Sequence, residues 1–342
     1  MLGFGNVNRT LAQLLKTREA ELRDRHGISF RITGIASRRL GWIADPNGID
    51  PARVEETWVV AGDSPANAGN VAKARPSDHP ASTVDTWLKA AQADILFEAT
   101  SLNVETGQPG VDHIRAALAH GAHAITANKG PIVHAYRELR DLANAKNKRF
   151  LFESTVMDGV PIFSFFDQLP AIHLQGFHGI LNSTTNVILS EMENGLTFDK
   201  SLKKAQSLGI AETDATHDVD GWDAAVKTAA LITVLMDIPI RLEEIERKGI
   251  RDLRPKVLRE ARMDGFPYKL VCRAKREGSG VKARVGPEKV IVGTPMGGTS
   301  GSSSYICFNT DIFPILSVFE GEPGLYATAY GMLADFVRAV AS

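Results

Sequence analysis

The stretch from Gly209 to Lys227 reads GIAETDATHDVDGWDAAVK, and it carries the densest chemistry in the chain. Glu212, Asp214, Asp218 and Asp220 crowd a loop that runs into a helix, and Asp223 and Lys227 then follow four residues apart, on one helical face. Any one of these acids can serve as a helix cap, and the Asp223–Lys227 pair alone is an ordinary surface ion pair. The neighbours argue otherwise: Ala224, Ala225, Ala229 and Ala230 make the helix small-sided and apolar, in the manner of a buried helix. A lysine held there among carboxylates can exchange a proton with a substrate hydroxyl. A second lysine, Lys129, lies in ITANKGPIV (125–133), after a strand and at the carboxyl edge where α/β sheets take their ligands. By spacing alone it reads equally well as a loop lysine. In GILNSTTNVIL (179–189), the polar run Asn182-Ser183-Thr184-Thr185-Asn186 suits a helix N-cap cluster, a pocket floor, or both.

A third constellation opens the chain. Gly3-Phe4-Gly5-Asn6-Val7-Asn8 has the first two glycines of a dinucleotide-binding turn, with Asn8 where a third glycine is usual. In such a turn the first glycine permits the tight bend and the second lets backbone approach a pyrophosphate, which the following helix N-terminus attracts. Only Met1 and Leu2 precede it, where a buried strand normally stands. The expectation is that the natural start lies a few codons upstream or that this chain holds its cofactor poorly. Asn8 is expected to loosen the helix–strand contact a little. The next strand ends Ala36-Ser37-Arg38-Arg39 with no carboxylate for a ribose 2′-hydroxyl, so Arg38 and Arg39 favour NADP over NAD.

These side chains need elements to hold them. After the glycines, Leu11, Leu14, Leu15 and Leu22 form a helical stripe and Gly27 stands where a C-cap glycine belongs. Residues 28–37 read as a strand, 45–82 as a polar stretch mixing loop with short elements, 83–91 as a helix, and 93–100 as a buried strand. A helix at 113–120 and a strand at 122–126 continue the alternation. It points to an α/β fold with a Rossmann-type doubly wound parallel sheet. Farther on, strands at 150–154 and 176–181 flank a helical piece, and a long helix covers 222–236. Residues 277–303 give little signal and suggest a long hairpin or mobile loop; 305–309 form a strand, and 326–340 have helical spacing. The expected division is a dinucleotide-binding domain at 1–130 plus about 312–342, and an α+β substrate-binding and dimerisation domain at 131–311.

Composition narrows the class. The 342 residues are 44% hydrophobic and 23% charged with a formal net charge of −1, so nothing argues for nucleic acid or an anionic membrane as partner. No apolar run approaches the ~20 residues of a membrane span and no signal peptide is recognisable. Cys272 and Cys307, without metal-ligand spacing, read as buried free thiols in a reducing cytoplasm.

Taken in order, GFGNV, FEATSLNVETGQPG (97–110), ITANKGP, GILNSTTNVIL and above all AQSLGIAETDATHDVDGWDAAVK (205–227) resemble the homoserine dehydrogenase family, in its short form without an ACT domain. The resemblance covers nearly the whole chain. It implies hydride transfer between NAD(P) and C4 of L-homoserine, interconverting it with L-aspartate 4-semialdehyde, by a homodimer. Lys227 matches the family's proton donor/acceptor and Lys129 the lysine beside substrate and nicotinamide. Glu212, Asp218 and Asp223 match residues that hold the substrate's ammonium end or orient Lys227, and Asn182, Ser183 and Thr184 line the same pocket. Gly3, Gly5, Asn6 and Val7 match the pyrophosphate turn, Thr100 and Ser101 the loop after a sheet strand, and Gly324 a late glycine near the nicotinamide. Glu153, with the backbone at Val156, Asp158 and Val160, falls where some members hold a sodium ion.

The chain also departs from the family pattern. Ser183 stands for a usual glycine, Met157-Asp158 for two small residues, Ala215-Thr216-His217 for the usual Pro-x-apolar, and Glu322-Pro323 alters a glycine-rich turn. These changes leave the hydride chemistry in place and open the question of substrate. Two alternatives stand beside the main reading: a related enzyme acting on another small hydroxy acid or amino acid, and a non-catalytic nucleotide-binding sensor.

Overall fold

A computed structural model describes residues 1–54 and 83–340, so most of the polar stretch expected at 45–82 lies outside the described residues. The chain divides into two compact units, Met1–Gly159 with Leu325–Ser342, and Val160–Gly324. The boundaries lie beyond the 130 and 312 read from sequence. Residues 130–151 add a helix and a parallel strand to the first sheet, while 312–320 complete the sheet of the second unit.

In the first unit, helix α1 (Asn6–His26) starts directly on Gly5 and stops at Gly27, whose left-handed backbone (φ 66°) returns its N–H to the last carbonyls. Its buried face, Leu11, Leu15 and Leu22, joins one core with Met332, Leu333 and Phe336 of the terminal helix Leu325–Val340. Strand β1 (Gly34–Ser37) turns back through antiparallel β2 (Gly41–Ala44). Helix α2 (Val84–Ala91) lays Trp87 across Gly34, where a Cβ would come within 2.7 Å of the indole ring. Strand β3 (Ile95–Glu98), helix α3 (Gly110–His120), strand β4 (His123–Thr126), helix α4 (Gly130–Ala145) and strand β5 (Phe150–Leu151) then alternate, and β3, β4 and β5 pair in parallel.

Leu2 fills the gap between β1 and β3. It bridges in parallel to Ala36 on one side and Glu98 on the other, with its N–H on the Phe97 carbonyl (2.8 Å) and its carbonyl taking the Ala99 N–H (2.9 Å). The strand expected over 28–37 forms only at Gly34–Ser37, where β2 and Leu2 pair with it. Residues 28–33 instead border a cavity of about 860 Å³, lined also by Leu15, Trp87, residues 94–97 and Phe336. At its head the buried Met1 ammonium donates to the Gly34 carbonyl (2.7 Å), and burial pushes its pKa down from 8.0 to about 5. Asn8 corrects another expectation. It is fully buried and its amide donates to the Leu2 and Gly3 carbonyls (3.0 and 3.1 Å), so it fastens the turn to α1.

The second unit is a six-stranded sheet in the order β11-β10-β6-β8-β9-β7, backed by helices. Helix α5 (Ile162–Asp167) leads to β6 (Leu174–Ile180), α6 (Ser183–Glu193), α7 (Phe198–Ser207), α8 (Trp222–Leu235), β7 (Glu246–Arg247) and α9 (Pro255–Met263). A hairpin of β8 (Tyr268–Glu277) and β9 (Gly280–Lys289) follows, then β10 (Ser304–Thr310) and the edge strand β11 (Leu316–Glu320). The low-signal stretch therefore contains β9, whose charged, exposed alternate residues hid it. Cys272 and Cys307 are buried and free, as expected. No helix among the described residues is long and apolar enough to cross a membrane.

Candidate active site

In the first unit the glycine turn has the shape a dinucleotide needs. Gly3 holds φ +78° with its Cα against the Ala99–Thr100 peptide, where a Cβ would lie 2.5 Å from the Ala99 carbonyl oxygen. At Gly5 a Cβ would meet nothing within 4 Å, so the approach to α1 is open. That helix has no side-chain cap and no acidic residue in its first turn, leaving the Asn6 and Val7 end electropositive. Arg38 and Arg39 are exposed in the turn after β1, with no carboxylate between them and the strand. These residues fit a dinucleotide.

The carboxyl ends of β3 and β4 supply the neighbouring loops. Thr100 and Ser101 follow β3; Lys129, partly buried, is the N-cap residue of α4. Both loops converge on Glu98, a residue that sequence reading passed over as one polar position in an apolar strand. Its position as the last strand residue before Ala99-Thr100-Ser101 was the available signal. Glu98 is fully buried and accepts from the Thr100 N–H (2.9 Å), the Thr100 hydroxyl and the Thr126 hydroxyl (2.6 Å).

In the second unit the expected acid–lysine cluster assembles and sorts itself. Asn182, the buried N-cap of α6, takes the Thr185 N–H on its Oδ1 (2.8 Å) and donates its Nδ2 to Asp218 (2.7 Å) and Asp223 (3.0 Å). Lys227 donates to the Leu181 carbonyl (2.7 Å) and lies 3.1 Å from Asp223 Oδ2. Lys227 and Asp223 keep only 18% and 20% of their side-chain surface, so the surface ion-pair reading fails. Burial raises the Asp218 pKa above the usual value; Asp223 beside it adds to the rise, while hydrogen bonds from Asn182 and Thr184 and the Lys227 charge oppose it. Helix α8 is buried from Ala224 to Val226 and from Thr228 to Thr233, as its small residues foretold.

The other candidates stand outside this hydrogen-bonded network. Asp220 pairs with Arg251, and its carbonyl accepts from Arg247, whose guanidinium stacks 3.6 Å over Trp222, so Asp220 is a structural acid. Asp214 receives the Thr216 N–H within its own turn (3.0 Å). Glu212 and His217 are exposed. Ser183 donates its hydroxyl to the Ser302 carbonyl (2.7 Å), so the extra oxygen at this position ties α6 to the turn before β10. Gly324 is exposed at the end of the second unit.

At the residues suggested for sodium, the Glu153 side chain already faces a cation of the chain itself. Glu153 Oε2 faces the Arg338 guanidinium (3.4 Å), which also pairs with Asp335 (3.1 Å), and burial lifts the Asp335 pKa to about 7. Asp158 accepts the Thr328 hydroxyl (2.6 Å) and the Val160 carbonyl accepts the Ile162 N–H (2.8 Å). Val156 is a buried apolar residue beside the Glu153–Thr155 turn. Among the described residues no group of three or more His, Cys, Asp or Glu side chains is placed to hold a metal ion.

Comparison with known proteins gives concordant results. The sequence profile of the homoserine dehydrogenase family matches residues 161–337, and that of the homoserine dehydrogenase NAD-binding domain matches residues 3–153. The chain is 34% identical to an NAD(+)-dependent homoserine dehydrogenase of Pseudomonas canavaninivorans, over 99% of this chain and 94% of that protein. It is 30% identical to a homoserine dehydrogenase of Methanocaldococcus jannaschii, over 99% and 97%. Among solved structures, a homoserine dehydrogenase from Thiobacillus denitrificans superposes with a TM-score of 0.79 at 29% identity, covering 99% of this chain and 72% of that one. A hyperthermophilic archaeal homoserine dehydrogenase mutant in complex with NADPH gives 0.78 at 27%, covering 99% and 95%.

Asn182→Ala removes a helix cap and the amide shared by two carboxylates. It should lower unfolding free energy by about 2–4 kcal/mol in urea titrations, combining a cap at ~1 with hydrogen bonds to charged groups at ~1.5–3.

Proposed function

Because the chain belongs to the homoserine dehydrogenase family, NAD(P)-dependent oxidoreductases acting on a CH–OH group, we propose that it interconverts L-homoserine and L-aspartate 4-semialdehyde with Lys227 as the proton donor/acceptor. The observation that carries this assignment is the Asp218–Asn182–Asp223–Lys227 network, in which a lysine is held by a carbonyl and a carboxylate inside an apolar helix face. The bound dinucleotide supplies the hydride acceptor or donor.

Each residue of the chain then has a defined task. Lys227 takes the hydroxyl proton in oxidation and returns it to the carbonyl oxygen in reduction. Asp223 keeps the Lys227 ammonium oriented, and Asn182 keeps Asp223 and Asp218 in place. Asp218 and Glu212 receive the ammonium of the amino-acid substrate, while Ser183 and Thr184 border its pocket. Lys129 stands beside substrate and nicotinamide, with Thr100, Ser101 and Gly324 on the nicotinamide side. Gly3, Gly5, Asn6 and Val7 receive the pyrophosphate. The pairing of Arg38 and Arg39 with an absent carboxylate favours NADP, whereas the Pseudomonas canavaninivorans relative is NAD(+)-dependent.

Absorbance at 340 nm with NADP or NAD and a panel of small hydroxy acids and amino acids tests the assignment. L-homoserine should turn over, with a higher kcat/KM for NADP, and Lys227→Ala should reduce kcat by about 10²–10⁴-fold. Turnover of a different alcohol alone would replace the substrate, and tight cofactor binding without turnover would favour a sensor.

We further propose a homodimer formed through the free edge of the second sheet. Beside edge strand β11, Ile312, Ile315 and Phe319 keep 64%, 74% and 59% of their surface exposed, an apolar edge that invites pairing with a second copy. Phe319→Glu should shift the sedimentation mass from two chains to one; an unchanged mass would place the interface elsewhere.

A further inference from the structure

Glu98 stands at the carboxyl end of β3, between the residues assigned to the cofactor, yet no step of the reaction uses it. It has no exposed surface. A carboxyl group in such a place is costly unless its oxygens are matched by donors. Here they are: Oε1 accepts from the Thr100 N–H (2.9 Å) and hydroxyl, and Oε2 accepts from the Thr126 hydroxyl (2.6 Å).

The Thr126 oxygen carries the connection onward. It accepts the Asn128 N–H (2.9 Å), and Asn128 Oδ1 accepts the Gly130 N–H (2.9 Å), which closes the turn around Lys129. The Glu98 carbonyl also takes the Ala127 N–H (3.0 Å). From α3, His113 brings Nδ1 to 3.7 Å from Oε1, and that nitrogen is buried without a hydrogen bond. Asn128 Nδ2 is likewise buried and unbonded. One side chain thus ties the loop after β3 to the loop after β4. The glycine turn packs on the Ala99–Thr100 peptide through Gly3, but its own hydrogen bonds come from the opposite side, Gly3 and Phe4 donating to the Ala36 carbonyl (2.9 and 3.1 Å).

We infer that Glu98 is a positioning residue for the nicotinamide half of the cofactor, fixing Thr100 and the Asn128–Lys129 turn relative to each other. The inference rests on the reading above that Thr100, Ser101 and Lys129 adjoin the nicotinamide. A residue that merely filled the core would give the same protein without this division between the two halves of the dinucleotide.

The test compares two ligands on the intact protein: the preferred reduced dinucleotide, and the same molecule lacking nicotinamide, ADP-ribose or its 2′-phosphate. In Glu98→Ala the dinucleotide Kd should rise about tenfold or more, the loss of one or more hydrogen bonds to a buried carboxyl, while the fragment Kd stays within about twofold. Glu98→Gln, which keeps an acceptor for Thr100, should recover most of the affinity. If Glu98→Ala fails to fold, Thr100→Val and Thr126→Val each remove one donor and should show the same split. Equal weakening of both ligands, or no weakening in a folded variant, overturns the assignment. Wild-type protein that binds neither dinucleotide overturns the cofactor reading and this assignment with it.

Discussion

A buried amide or carboxyl group must find partners for its polar atoms, and in both units that requirement organises the functional residues. Asn182 satisfies it by spending one end on the first turn of α6 and the other on two carboxylates. Asp218 and Asp223 would repel at that separation; the shared amide and the Lys227 ammonium make the arrangement tolerable. Burial, with Asp223 adding to it, keeps the Asp218 pKa above the usual value despite those bonds.

In the first unit Glu98 meets the same requirement with donors from two loops. Gly3 packs directly on the Ala99–Thr100 peptide, and Asn8 reaches back from α1 to the Leu2 and Gly3 carbonyls. The Asn8 side chain ties the helix to the turn. Its Oδ1 remains buried without a partner, which is the cost of using an amide where glycine needs none.

The departures at Ser183 and at Met157-Asp158 also acquire physical content. Ser183 binds the Ser302 carbonyl, so its effect on the pocket passes through the turn that precedes β10. Asp158 adopts φ 46° and accepts from Thr328 of the terminal helix, while Met157 is buried.

The sequence by itself determined the family, the alternating α/β order of the first unit, the buried character of α8 and the residues Asp218, Asp223 and Lys227. Each of these is written in local periodicity or in a long, specific motif. Spacing put Asp223 and Lys227 on one face because a helix fixes that geometry within a single turn. Only the tertiary structure decided which acids join the Asn182–Lys227 network. Asp220 turned to Arg251 and Asp218 to Asn182, although only Val219 separates them, because their partners lie more than thirty residues away. The same holds for Glu98, whose partners come from two loops. Long-range hydrogen bonding is absent from any local pattern, so the roles it assigns appear only once the chain has folded.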